Sequence, residues 1–211
     1  MRASLCVVVL ARAPIPGRTN VRLAPQLGAW GAARLQARLT ERTLRTAQAA
    51  RIGPVELHAT PRLRHPFFLR CSRLFKLSLH AQRGRDLGER MHHALAQALR
   101  GAQAAILIGT DCPALGTLDL RRAAAALQGG ADAVLAPAED GGYALIGLRR
   151  ADARVFHGIA WGTRDVFAAT RARMKALGWR VRVQRTVWDL DRPEDLRRRL
   201  ALRARVRGGA P

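Results

Sequence analysis

Leu5–Leu10 is an unbroken apolar run, and Ala104–Ile108 repeats the arrangement midway along the chain. Runs this short and this continuous belong to strands covered on both faces of a parallel sheet. Elsewhere the spacing becomes helical. Leu87, Met91, Leu95 and Leu99 recur every fourth residue, which predicts a helix over Asp86–Leu99. Helices are also expected over Leu27–Ala50, with Leu35 and Leu39 on one face, and over Thr117–Leu127, with Thr117 as the N-cap. Two more are Thr163–Leu177, ended by Gly178, and Pro193–Arg203, opened by Asp191. Further strands are expected at Val55–Ala59, Leu74–Leu79, Asp132–Ala136, Tyr143–Leu148 and Arg180–Val187, with an irregular stretch at Leu63–Cys71 around Pro66. Strand–helix alternation argues for an α/β chain: a Rossmann-type, doubly wound, mostly parallel sheet with flanking helices. With 211 residues, one domain over 1–203 and a basic tail at 204–211 account for the chain.

The charge balance is lopsided, with 37 Lys+Arg against 15 Asp+Glu and a formal net charge of +22. Alone, that suggests a polyanionic partner such as nucleic acid. Two details weaken it. Only Lys76 and Lys175 are lysines, and the arginines run along the whole chain, with one dense group from Arg197 to Arg207. Aromatic residues make up 5%, too few for a platform that stacks single strands. Cys6, Cys71 and Cys112 show neither a CxxC nor a zinc spacing, which fits a reduced cytoplasm. Arg2, Leu5–Leu10 and Ala11-Arg12-Ala13 imitate a signal peptide, but the apolar run is short and reads as a first buried strand. No apolar run approaches the roughly 20 residues of a membrane span.

In doubly wound sheets ligands lie beyond the carboxyl ends of the strands. The loop Ala11–Leu23 carries Arg12, Gly17, Arg18 and Arg22 before a helix, a composition suited to phosphate, or equally to a stiff loop with solvated arginines. It matches neither a Walker A loop nor G-x-G-x-x-G. In Gly109-Thr110-Asp111-Cys112-Pro113 the carboxylate follows a central strand, as a ligand of Mg²⁺ or Mn²⁺ would, or as the start of an Asx turn. Asp140-Gly141-Gly142 offers a carboxylate for a sugar hydroxyl or an attacking group, or simply a tight hairpin turn. Asp189 and Asp191, two apart after a strand, could complete a metal site with Asp111, while Asp191 could also cap the helix at Pro193. Gln82–Met91 and Trp161-Gly162-Thr163 lie at helix starts and could line the same pocket.

Taken in order, Pro-x-Pro-Gly-Arg with Arg-Leu-Ala-Pro, Asp-Leu-Gly-Glu-Arg-Met, Ile-Gly-Thr-Asp-Cys-Pro, Pro-Ala-Glu-Asp-Gly-Gly-Tyr, Trp-Gly-Thr and Asp-Leu-Asp-x-Pro-Glu-Asp-Leu resemble a bacterial family of GT-A-like transferases. These are the rSAM/selenodomain-associated transferase 1 or arsenosugar-biosynthesis-type glycosyltransferases, within the nucleotide-diphospho-sugar transferase superfamily. The resemblance runs from Leu5 to about Leu200. It implies a single GT-A-like domain, a nucleotide-bearing donor and a divalent metal. By position it implies a metal site of Asp111, Asp189 and Asp191, and a donor-phosphate loop with Gly17, Arg18 and Arg22, with Arg12 beside it. Gln82, Asp86 and Arg90 fall on the nucleotide side. Asp140, Gly141, Gly142, Tyr143, Trp161 and Thr163 fall on the acceptor side. The family usually carries Lys-Thr where this chain has Asn20-Val21, and often Lys in place of Arg12. A lysine there suits the charge that builds during nucleotidyl transfer, so its replacement favours glycosyl transfer.

The expected protein is therefore a cytoplasmic metal-dependent transferase taking a nucleotide-diphospho-sugar and a small-molecule acceptor, with Asp111 and Asp140 at the chemistry. The alternatives are a nucleotidyltransferase acting on a phosphorylated acceptor, a nucleic-acid-binding protein and a non-catalytic nucleotide binder.

Overall fold

The computed structural model describes residues 3–198. The first strand, β1 (Cys6–Arg12), is buried through Ala11 and emerges only at Arg12. A 3-10 turn at Val21–Leu23 leads into α1 (Ala24–Ala50), which bends at Gly28. Next come β2 (Val55–Thr60), α2 (Pro66–Phe75), β3 (Ser78–Ala81), α3 (Leu87–Gly101), the wholly buried β4 (Ala105–Ile108) and α4 (Thr117–Gln128). The strands β5 (Ala133–Pro137) and β6 (Tyr143–Leu148) precede α5 (Val166–Ala176) and β7 (Val181–Val183). A helical stretch follows at 193–198; the rest of the helix expected to Arg203, and the basic tail at 204–211, lie outside the described residues.

The seven strands among the described residues form one sheet in the order β3-β2-β1-β4-β6-β5-β7. The pairs β1–β2, β2–β3, β1–β4 and β5–β7 are parallel, whereas β6 runs antiparallel to both β4 and β5. On one face, Leu44 and Ala47 of α1, Phe68 of α2 and Leu120 of α4 cover Val7, Val9, Leu57 and Ile106. On the other, Met91 and Leu95 of α3 and Met174 of α5 cover Val8, Leu107 and Leu135. A doubly wound, mostly parallel sheet is therefore present. Fully covering an aliphatic side chain of this size is worth about 1.5–3 kcal/mol, so the sheet centre dominates stability.

Local expectations differ in several places. Residues 66–75 form a helix instead of an irregular stretch followed by a strand. Pro66 sits in its first turn, where its missing N–H costs nothing, and the His65 side chain accepts a hydrogen bond from the Phe67 N–H. Leu74 accordingly belongs to α2 and not to β3. The N-cap of α4 is Gly116 rather than Thr117, and Asp119 accepts from the Gly116 N–H. The strand expected over Arg180–Val187 is limited to Val181–Val183, with Val187 forming a separate bridge to Ala138. No helix among the described residues is long and apolar enough to cross a membrane.

Candidate active site

A cavity of about 470 Å³ opens above the carboxyl end of the sheet's centre. One wall comes from the loop after β1. Thr19 is buried and its hydroxyl donates to the Ile15 carbonyl, folding that loop back on itself. Asn20 takes the left-handed conformation that asparagine tolerates, and its side-chain amide donates to the Ala32 carbonyl of α1. Arg12 and Arg22 consequently line the cavity, but Gly17 and Arg18 do not. Arg18 is exposed, and its backbone N–H closes a turn onto Ile15.

Asp111 lines the floor beyond β4. Gln36 of α1, buried, donates to the Thr110 hydroxyl at 3.0 Å, and Thr110 donates to Asp111 Oδ1 at 3.1 Å. Asp111 is open to the cavity yet surrounded by protein. Desolvation, with the nearby negative charge of Asp191, raises its pKa, while the Thr110 hydrogen bond and Arg12 pull the other way. The segment after β7 supplies the opposite wall. The Leu190 N–H donates to the Asp111 carbonyl at 2.7 Å and the Cys112 thiol donates to the Trp188 carbonyl at 3.0 Å. Asp189 and Asp191 thereby both line the cavity. The Asp189 carboxyl is pushed up to about 6, first by burial and then by the charge of Asp140, with Asp191 and Asp195 adding to it. Asp191 pairs with the Arg22 guanidinium. Among the described residues no arginine or lysine forms an ion pair with Asp111 or Asp189, whereas Glu41, Glu89, Asp119, Asp132, Glu139 and Asp152 each have an arginine partner.

The three carboxylates expected at a metal site share this cavity without being drawn into one cluster. Among the described residues, the side chains with potential ligand atoms all within 4.8 Å of one another are Glu56, His58 and His80, outside the cavity lining. Arg22 at Asp191 relieves part of the repulsion that would otherwise push the aspartates apart.

The far side is built by α3 and the β5–β6 hairpin. Gln82 lines it, its side-chain amide donating to the Ala11 and His58 carbonyls. Arg90 lines it as well, with Nε donating to the Gly84 carbonyl. Asp86 does not reach the cavity; it caps α3 by accepting from the Glu89 N–H. Asp140 lines the rim, with Oδ1 accepting from the Gly142 N–H, so the turn reading and the lining position hold together. Gly142, Tyr143, Trp161 and Thr163 also line it. Gly141 does not. It packs on the backbone of Arg164, where a Cβ would lie 2.2 Å from a carbonyl oxygen. The Tyr143 hydroxyl faces the Met91 sulfur at 3.8 Å, and burial raises its pKa, so it stays neutral. The Cys112 thiol, pushed up to about 11 by burial, is no nucleophile.

Gln36 is the positioning residue that the sequence reading missed. Its only signal is a polar side chain within the stripe Ala32, Leu35 and Leu39 that α1 buries. Gly88 is a second omission. A Cβ there would lie 2.6 Å from Trp161 Cζ2, so the glycine lets the indole lie flat on α3. Gly88→Ala is expected to cost about 1–3 kcal/mol of stability by overpacking and to displace a cavity wall. Urea denaturation with tryptophan fluorescence reads both effects.

The family described as "Uncharacterized protein conserved in bacteria (DUF2064)" matches residues 43–163. No curated protein matches the chain. Among solved structures, a "putative nucleotide-diphospho-sugar transferase" from Desulfovibrio desulfuricans G20 is 30% identical, with a TM-score of 0.82 over 90% of this chain and 83% of that one. A CMP:2-keto-3-deoxy-manno-octonic acid synthetase complexed with CTP is 12% identical, with a TM-score of 0.59 over 96% of this chain and 99% of that one. Rv0371c of Mycobacterium tuberculosis H37Rv, in complex with manganese, is 19% identical, with a TM-score of 0.57 over 94% and 99%. These two share the fold.

Proposed function

The chain belongs to the DUF2064 family and has the fold of the nucleotide-diphospho-sugar transferases; on that premise we propose that it transfers a glycosyl group from a nucleotide-diphospho-sugar to a small acceptor, with a divalent metal. The observation that carries the reading is the set of carboxylates that line one cavity of a chain with a net charge of +22. The Asp189 carboxyl is pushed up to about 6 by burial and by neighbouring acids, and a cation is what such a group lacks. The donor set of Asp111, Asp189 and Asp191 is all oxygen, which fits Mg²⁺ or Mn²⁺. When bound, the ion would neutralise charge on the departing diphosphate.

This chain's own residues do the rest. Arg12 and Arg22 bind phosphate oxygens from the β1 side. Gln36 and Thr110 fix the orientation of Asp111. Gln82 and Arg90 flank the nucleotide. Asp140 keeps Oδ2 for an acceptor hydroxyl while Oδ1 is held by the turn. Trp161 and Tyr143 form an apolar wall for the sugar. Asn20 is occupied with α1 and brings no charge, which supports glycosyl over nucleotidyl transfer. Calorimetry with a panel of nucleotides and nucleotide-sugars, with and without Mn²⁺, tests the reading, and no metal-dependent binding of any of them refutes it. Pyrophosphate release from triphosphates would instead establish nucleotidyl transfer.

A pH dependence follows. The ionised form of Asp189 is the ligand, so Mn²⁺ affinity should rise as the pH passes upward through about 6 and level off above it. Titrations between pH 5 and 8 check this. A flat profile removes Asp189 from the ligand set.

A further inference from the structure

A second constellation lies at the sheet edge, outside the cavity lining. Alternation along β2 puts Glu56 and His58 on one face, and the β2–β3 register sets His58 beside His80. Val8 and Leu10, their β1 neighbours, pack towards α3 on that face. Glu56 Oε2 lies 3.0 Å from His58 Nε2 and 3.8 Å from His80 Nε2. Ligating atoms of all three lie within 4.8 Å of one another. The imidazole centroids are 4.9 Å apart and tilted, so both rings turn a nitrogen towards the carboxylate instead of stacking.

These spacings have a chemical meaning. A tetrahedral ion with bonds of about 2.0–2.1 Å holds its ligand atoms about 3.4 Å apart. The edges of 3.0 and 3.8 Å bracket that value. His58 is buried, while the Glu56 and His80 side chains are 20% and 30% exposed, so the cluster has a stable base and an open side. The other ring nitrogen of His80 is also held: Gln97 Nε2 of α3 lies 2.8 Å from His80 Nδ1. Rotating that amide by half a turn gives Nδ1–H an acceptor, the usual support behind a metal-bound imidazole.

We propose that Glu56, His58 and His80 form a second metal site, distinct from the aspartate-lined cavity, that takes a borderline transition ion such as Zn²⁺ through two imidazole nitrogens and one carboxylate oxygen. The donor types separate the two sites: imidazole suits Zn²⁺ or Co²⁺, and the all-oxygen wall suits Mg²⁺ or Mn²⁺. The second site also adjoins the cavity. The His58 carbonyl accepts from Gln82, so an ion joining β2 to β3 stiffens the strand on which Gln82 rests.

The test uses full-length, tag-free protein stripped with chelator and titrated with Co²⁺, read by its visible absorption, and with Zn²⁺ by calorimetry. One equivalent with a tetrahedral Co²⁺ spectrum, displaced by Zn²⁺, is expected. His80→Ala and Glu56→Gln, each checked for folding by circular dichroism, should weaken it about a hundredfold or more, beyond the 10–100-fold typical of outer-shell changes. Asp111→Asn should leave it intact, so this result is independent of the transferase reading. Absence of the Co²⁺ band, affinity unchanged in folded His80→Ala, or loss of the band in Asp111→Asn would each overturn the proposal and leave a hydrogen-bonded His–Glu–His cluster.

Discussion

Asp111→Asn should remove manganese-dependent nucleotide binding and lower turnover by about a hundredfold or more. The substitution keeps the shape and the Thr110 hydrogen bond but deletes the charge at the floor of the cavity. A metal contributes several kcal/mol to stabilising a departing phosphate, and each 1.4 kcal/mol is about tenfold in rate. The fold should survive, because the contact that ties this segment to Leu190 runs through the Asp111 backbone carbonyl. Calorimetry with Mn²⁺ and steady-state rates give the measurement. Turnover within a few-fold of the parent would mean that Asp111 is not a metal ligand. Gln36→Leu should weaken Mn²⁺ binding more mildly, about tenfold, since it acts through Thr110.

Arg185→Ala should have the largest effect on stability. Arg185 makes a two-pronged contact with Asp119, at 2.9 and 2.7 Å, and donates to the Ala114 carbonyl. Asp119 is 4% exposed. Removing the guanidinium leaves a buried carboxylate with only the Gly116 N–H for support. Breaking a buried pair costs roughly 3–5 kcal/mol, and because Arg185 is itself half exposed we expect about 2–3 kcal/mol at pH 7. Burial alone would raise the Asp119 pKa, but Arg185 and the Gly116 N–H bring it below the ordinary value. The stabilisation is therefore complete above the unfolded value near 3.9 and is lost as the pH falls through the lower folded value. Urea denaturation should show the gap between variant and parent closing below about pH 4. A gap independent of pH would assign the loss to packing.

The layered architecture was legible because burial leaves a plain trace. Leu5–Leu10 and Ala104–Ile108 could be little other than covered strands, and the four-residue spacing of Leu87, Met91, Leu95 and Leu99 could be little other than a helix. Strand direction leaves no such trace, since alternation reads the same from either end. The reversal of β6 was therefore visible only as a short Asp-Gly-Gly connection too tight for a crossover. The irregular stretch expected around Pro66 is instead α2, because proline in the first turn starts a helix. In the site, loop positions after strands pointed to Arg12, Arg22, Asp111, Asp189 and Asp191, which the fold brings to one cavity. Local spacing gave no hint that Arg22 would meet Asp191, 169 residues away, or that Gln36 would support Thr110. Arg18 and Asp86 carried suitable chemistry but were used locally, one in an exposed turn and the other as a helix cap.

The strap at 185–191 has a consequence for the order in which the molecule is completed. Six of the seven strands among the described residues, along with Asp111, Asp140, Arg12 and Arg22, have been made by Leu148. Asp189 and Asp191 come last, and the strap that carries them is fastened by Arg185 to α4, by Leu190 to Asp111 and by Asp191 to Arg22. During synthesis, which builds the chain from its N-terminus, the sheet can assemble well before the acidic wall exists. A chain interrupted after Val183 keeps every strand of the described residues yet lacks two of the three aspartates that line the cavity floor and its opposite wall.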